Sequence, residues 1–346
     1  MKKRFSSVAA QATLRAFTLV EMLISIVVLA LLILMVTQVV NTAATVVRPA
    51  NKHIDTDTQA RVILDRIAMD IGRMLKRTDV GYYIKQPIKY NNHGNGHGFG
   101  KKLQTGQQGS DQISFFTQVP GYYPSASGQS PLSLVSYRIN EDSNSASYLK
   151  LERMGKGLLW NGFDNNNRQP SNSSFNSPIV FLPLLISDRW PAAADGTTET
   201  NADYEVIGPQ VFRFEYYYLL KNGKATDVPW DKDARPSQQT IFAPTSIGLV
   251  DVQAIAVAIA VIDPASRSLI PPASLFGVAD DMDDFTTAPG RGNGGSKRIG
   301  DMEIQWNEAV QSIVATGHTS DPTLLVPAAA ASGIRIYNRY YDLRTF

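Results

Sequence analysis

Ala16-Phe17-Thr18-Leu19-Val20-Glu21-Met22 opens the stretch that decides the fold, and MLISIVVLALLILMVTQVVNTAATVV, residues 22–47, completes it. No side chain from Met22 to Val47 is charged. A helix needs about 20 apolar residues to cross a bilayer, so this run is long enough. In front of it stand Lys2, Lys3, Arg4 and Arg15, with no acid before Glu21. Basic flanks stay on the cytoplasmic side. The pattern therefore predicts a single-pass inner-membrane protein, with its N-terminus in the cytoplasm and the rest of the chain periplasmic. Glu21 is the oddity. A carboxylate at the centre of a bilayer costs about 2.5–3.5 kcal/mol on insertion scales, so one kept at the edge of a span implies a partner.

A secretory signal peptide fits this stretch poorly. Its apolar region is about 7–15 residues and precedes the cleavage site; here the run is longer and the small residue, Ala16, comes first. An ordinary signal anchor with a snorkelling glutamate is a second reading. A basic leader, a small residue, Phe-Thr-Leu-Val-Glu and an apolar helix together resemble the class III signal of type IV prepilins and pseudopilins. That resemblance implies cleavage between Ala16 and Phe17 by a prepilin peptidase and N-methylation of Phe17. It also implies that Glu21 answers the terminal amine of a neighbouring subunit during assembly. The family usually has Gly before the cut, where this chain has Ala16.

The length of 346 residues allows about two domains, and 43% hydrophobic residues can build a substantial core. Net charge is +2; without residues 1–16 the chain has 29 basic against 31 acidic side chains, so bulk charge gives no attraction to nucleic acid. There is no cysteine, hence no disulfide or thiolate site.

Taken in order, the chain divides into a leader (1–16), a transmembrane and assembly helix (17–48), an amphipathic continuation (49–78) and a globular head (79–346). Pro49 can kink the helix or briefly break it. Beyond it Ile54, Ala60, Leu64, Ile67, Ile71 and Met74 or Leu75 recur at spacings near three and four, which predicts one apolar helical face. Asp55, Asp57, Asp65, Arg66, Asp70, Arg73 and Lys76 are expected mostly on the other.

Strands are predicted at Gln112–Val119, Leu132–Ile139, Ser147–Arg153, Val211–Leu220 and Gly333–Tyr341, from β-branched and aromatic alternation between turn residues. Asn222-Gly223 predicts a tight hairpin after the fourth. Leu249–Ile262 reads as a long central strand, although its alanines also suit a helix, and Pro264 ends it. Asp301–Ala315 is a predicted helix. Ile179–Ile186, broken by Pro183, reads as an edge strand or buried extended segment. Residues 91–110, 161–178 and 191–203 read as loops. The fold class is therefore α+β: a long pilin-like helix, transmembrane then amphipathic, packed on an antiparallel β-rich head.

No sequence motif for catalysis is present: no Gly-x-Ser-x-Gly, His-Glu-x-x-His or P-loop. His318 has Ser312 and Asp321 nearby only in sequence, and His93 and His97 lie in a Gly-rich stretch without further ligands. The chain is read as a non-enzyme without cofactor. Asp280, Asp281, Asp283 and Asp284 are the best metal candidate, for calcium, but they lack the EF-hand spacing, and a solvated acidic loop is the favoured reading. Tyr122, Tyr123, Tyr216, Tyr217, Tyr218, Tyr340 and Tyr341 could stack on a sugar or base, but strand alternation should turn at least half of them into the core.

Two wider resemblances follow. The layout, with RVILDRIAMDIGRML at 61–75 ahead of a large β-rich head, resembles the J-type minor pseudopilins of type II secretion. The runs TDVGYYIK (78–85), VPGYYPSASGQSPLSLVSYRIN (119–140), KLERMGKGLLWNG (150–162), YEVIGPQVFRFEYYYLLKNG (204–223), AIAVAIAVID (254–263) and GIRIYNRYYDL (333–343) resemble the family called Verru_Chthon cassette protein C. That resemblance implies a Verrucomicrobia-like source and neighbouring prepilin-type proteins. It carries no settled biochemical role. The expectation is a minor prepilin- or pseudopilin-like subunit of an envelope fibre, with a prepilin peptidase and other such subunits as partners. The alternative is a permanently anchored extracytoplasmic binding module that never polymerises; a hydrolase head on an anchor is a third reading.

Overall fold

The computed structural model describes residues 18–76, 86–87, 110–122, 129–157, 204–226, 229, 231, 234, 249–285 and 298–343, with the backbone alone for 43–54, 86–87, 122 and 129. The chain divides into two compact units, Met1–Lys52 and His53–Phe346. A single helix, α1 (Leu19–Gly72), supplies residues to both. It runs through Pro49 without the brief break that was one of the two effects expected there. One proline removes one bond of the ladder and leaves the others in place.

In the first unit, Leu19–Thr42 is apolar and exposed throughout.

In the second unit, the residues of α1 from Thr56 onward bury Ala60, Ile63, Leu64, Ile67 and Ile71, followed by Met74 just beyond the helix. This is the predicted apolar face, widened by Ile63. Asp70 corrects the expectation: it belongs to the buried face and is fully enclosed. The reason is periodicity, since residue 70 lies three after Ile67 and four before Met74.

Among the described residues the strands of the head form two sheets. The first contains β1 (Gln86–Pro87), β2 (Asp111–Thr117), β5 (Ser133–Ile139), β6 (Leu151–Gly157), β3 (Gly121–Tyr122) and β4 (Gln129–Ser130) in that spatial order, with β7 (Tyr204–Gly208) also on β6. All pairs are antiparallel except β3 with β6. The second has the order β11 (Ile334–Asp342), β10 (Val252–Ile262), β8 (Val211–Leu220), β9 (Ala225–Thr226), all antiparallel. Between β8 and β9 lies the predicted hairpin turn, with Gly223 at φ 83°. The strand at 147–153 is shifted to Leu151–Gly157, because Leu149 takes a left-handed φ of 53° in a turn that cannot continue a ladder.

β10 shows why a sequence of alternating alanines is a strand here. Ile255, Val257, Ile259 and Val261 point to one face and Ala254, Ala256, Ala258 and Ala260 to the other. Across the ladder the large residues share a face with Tyr337, Arg339 and Tyr341, and these three meet α1. The alanines lie beside Arg213, Glu215 and Tyr217, whose bulk needs that space. Trp306 and Phe285 cover this second face.

Among the described residues four helices complete the head: α2 (Pro264–Leu269), α3 (Pro272–Asp280), α4 (Asp301–Thr316) and α5 (Ala328–Ala331). Pro264 ends β10 as expected and also begins α2, with Asp263 accepting from Ser266 N as its cap. The two sheets are joined where β2 begins: Ser110 Oγ accepts from Phe214 N (3.3 Å) and Asp111 Oδ2 from Tyr216 N (3.2 Å). Buried donors on the β8 edge are thus satisfied by side chains. The segment Ile179–Ile186, the loops 161–178 and 191–203, and residues 91–109 lie outside the described residues.

Candidate functional site

The site is the start of α1. Thr18 is the residue before the helix, and Glu21 is the third residue within it. Glu21 N donates to Thr18 Oγ1 (3.2 Å), and Glu21 Oε2 accepts from Thr18 N (3.0 Å) and from Thr18 Oγ1 (3.2 Å). This reciprocal pair is a capping box. It satisfies backbone donors that the first turn leaves open, and a carboxylate there suits the positive end of the helix dipole. The pattern Thr-x-x-Glu was visible in the sequence, although Glu21 was read there only as a charge awaiting a partner.

Beyond the cap three hydroxyls of the span bond back to the preceding turn. Ser25 Oγ donates to Glu21 O (2.8 Å), Thr37 Oγ1 to Ile33 O (2.8 Å) and Thr42 Oγ1 to Gln38 O (2.9 Å). Hydroxyls tied back to the preceding turn offer no unsatisfied donor to lipid. The 24 residues of Leu19–Thr42 rise about 36 Å as a helix, against a hydrocarbon core of about 30 Å. Ala16 and Phe17 lie outside the described residues.

A buried ionic cluster holds the docked half of α1. Asp70 accepts from Arg153 Nε (2.7 Å) and Nη2 (3.2 Å) and from Tyr137 Oη. Arg66 stands 3.7 Å away on the next turn. Burial and the Asp70 charge push the Tyr137 hydroxyl well above its ordinary range, so it stays a donor. Sheet two adds Tyr337 Oη to Asp57, Arg339 to Asp65 and Tyr341 Oη to Leu64 O.

The acidic run does not converge. Asp281 Oδ2 accepts from Ser320 N (2.8 Å), Asp283 O accepts from Trp306 Nε1 (2.8 Å), and Asp284 pairs with Arg213. Asp280 ends α3. Among the described residues no group of three or more His, Asp or Glu is placed to hold a metal ion. Arg213 is fully buried; burial alone would lower its pKa, but Asp284, Glu215 and Asp111 outweigh that and raise it.

His318 Nδ1 lies 2.6 Å from Thr319 O, and the Asp321 carboxylate takes Thr323 N (2.9 Å) and Oγ1 (2.7 Å). Each is engaged locally. His93 and His97 lie outside the described residues, as does the side chain of His53. Tyr216, Tyr217, Tyr218 and Tyr341 are buried and Tyr340 is 40% exposed, so no row of tyrosines faces solvent among them. The side chains of Tyr122 and Tyr123 are outside the described residues. Asp70, Arg153 and Arg213 were not anticipated as site residues. Helical periodicity could have found the first, but nothing local marks the two arginines.

No family model matches this chain, and no curated protein matches it. Among solved structures, a chain of the GspK-GspI-GspJ complex of the enterotoxigenic Escherichia coli type 2 secretion system is similar at 10% identity over 61% of this chain and 90% of that one, with a TM-score of 0.27. Likeness at that level carries no conclusion about this chain.

Proposed function

We propose that this chain is a minor prepilin- or pseudopilin-like subunit, anchored in the inner membrane by Leu19–Thr42 and assembled through that helix into an envelope fibre. The observation that carries the reading is the exposed apolar helix, with its only charge, Glu21, at the very start. Such a surface suits lipid before assembly and other apolar helices afterwards. Processing between Ala16 and Phe17, N-methylation of Phe17, and pairing of Glu21 with a neighbouring subunit's amine complete the proposal. The roles of partner belong to a prepilin peptidase and to other prepilin-like subunits.

One observation favours the anchored-module alternative. Glu21 already has donors within its own chain, so the structure itself creates no demand for an outside amine.

Purification from membranes of cells that contain a prepilin peptidase tests the proposal. The expected N-terminus by mass spectrometry is methylated Phe17, with other prepilin-like proteins co-purifying. An intact leader and a solitary membrane protein would overturn it.

A further inference from the structure

We infer that the outer edge of β11 takes an added β-strand from a partner protein, with a lysine or arginine opposite Asn338 and apolar residues two positions to either side. The argument starts from the backbone. β11 is the last strand of sheet two and pairs with β10 alone among the described residues. Leu343 N donates to Gln253 O (2.8 Å), its direct opposite, so odd-numbered residues turn their backbone groups toward β10. Ile336, Asn338 and Tyr340 therefore turn theirs outward, and no described group bonds to them. Natural sheets blunt such edges with proline, bulges or short strands. This one has nine residues, no proline and an unbroken register with β10.

The side chains say what fits. Tyr337, Arg339 and Tyr341 face α1 and are engaged there by Asp57, Asp65 and Leu64 O. Ile336, Asn338 and Tyr340 face α4 instead. Ile336 is half-buried and Tyr340 is 40% exposed, which leaves apolar surface on either side of Asn338. Asn338 Nδ2 donates to Glu303 Oε1 (2.9 Å), and Glu303, 8% exposed, keeps its Oε2 buried without a partner. An unmet buried carboxylate oxygen is costly, and a cation placed across from Asn338 answers it. A second copy of this chain fits poorly, because Arg335 and Arg339 both lie on the α1 side of β11 and offer Glu303 nothing. Strand addition supplies affinity through the backbone and specificity through alternate side chains. The inference does not depend on fibre assembly.

The probe is a capped peptide, Val-Thr-Val-Thr-Lys-Thr-Val-Thr-Val, added to the full-length, detergent-solubilised chain and read by residue-level amide hydrogen exchange. In the free chain Ile336, Asn338 and Tyr340 should exchange faster than Tyr337, Arg339 and Tyr341. The peptide should slow those three amides at least about tenfold. A peptide N-methylated at its third, fifth and seventh residues should leave them unchanged. Threonine in place of the lysine should weaken binding about tenfold, and Glu303→Gln should narrow that gap. No protection of the three amides at about 1 mM peptide would overturn the inference. Equal affinity for the lysine and threonine peptides would overturn the role of Glu303. Protection that appears without peptide as protein concentration rises, together with dimer formation in light scattering, would assign the edge to a second copy and overturn the partner.

Discussion

Glu141 shows how a single side chain ties the two sheets to solution pH. Its Oε1 accepts from Ser110 N (2.7 Å), the residue whose hydroxyl caps the β8 edge. Burial pushes its carboxyl up from 4.5 to about 7; the Ser110 bond and Arg213 pull the other way, and Asp280 adds to the rise. The folded state thus binds more protons than the unfolded state between pH 4.5 and 7. Stability must fall as pH rises through that window, and the penalty is complete above it. The side chain is only half-buried, so solvent reduces a shift nominally worth about 3 kcal/mol to roughly 1–2 kcal/mol. Glu141→Gln keeps an acceptor for Ser110 and removes the charge. Its melting temperature should exceed wild type at pH 8 and converge with it near pH 4.5. Parallel curves for the two proteins would mean that Glu141 titrates normally.

At the scale of elements, α1 and β10 bury opposite kinds of surface on sheet two. Leu64 and Ile67 are buried on the head, at 6% and 0% exposure. Leu64→Asp and Ile67→Asp should each lower the melting temperature of the full-length chain. Each forfeits roughly 1.5–3 kcal/mol of burial and adds a buried charge. An unchanged melting curve would detach this face from the core. β10 makes the converse demand. Ala258 is fully buried and faces Glu215 and Asn338 across the ladder. Ala258→Leu should cost about 1–3 kcal/mol by overpacking, and Ala258→Ser much less. Denaturant titration of both variants checks the contrast.

These elements also show what could be read beforehand. The period of α1, the aromatic alternation of β8 and the Asn222-Gly223 turn are local signals, and they predicted the right elements. The alanines of β10 were ambiguous, because their cause is Arg213, Tyr217 and Trp306, which are distant in sequence. The charge of Asp70 points to solvent, whereas its position on the helix puts it on the buried face. Helix α3 was not predicted, since the acids at its end suggested a loop. The donors around Asp70 come from β5 and β6, and no local pattern announces them.

For the whole molecule, the question is whether Glu21 serves as a charge or only as a cap. A carboxylate kept near lipid is costly, and a neighbouring amine would offset that cost in an assembly. The low local dielectric strengthens such a pair while desolvation removes much of the gain. The capping box offers a different use, worth about 1 kcal/mol of helix stability. Glutamine also serves at this position of a capping box. Glu21→Gln therefore separates the two roles: it retains the cap and discards the charge. Glu21→Val discards both, and Thr18→Ala weakens the cap and keeps the charge. All three should insert normally on a membrane-fraction blot, since none makes the span more polar. If Glu21 docks onto a neighbour's amine, Glu21→Gln and Glu21→Val should both lose cross-linking to partner prepilins, and Thr18→Ala should retain most of it. If the cap is what matters, Glu21→Gln should match wild type while Glu21→Val and Thr18→Ala fall together. That second pattern would remove Glu21 as the docking charge and leave the anchored binding module as the better account of the chain.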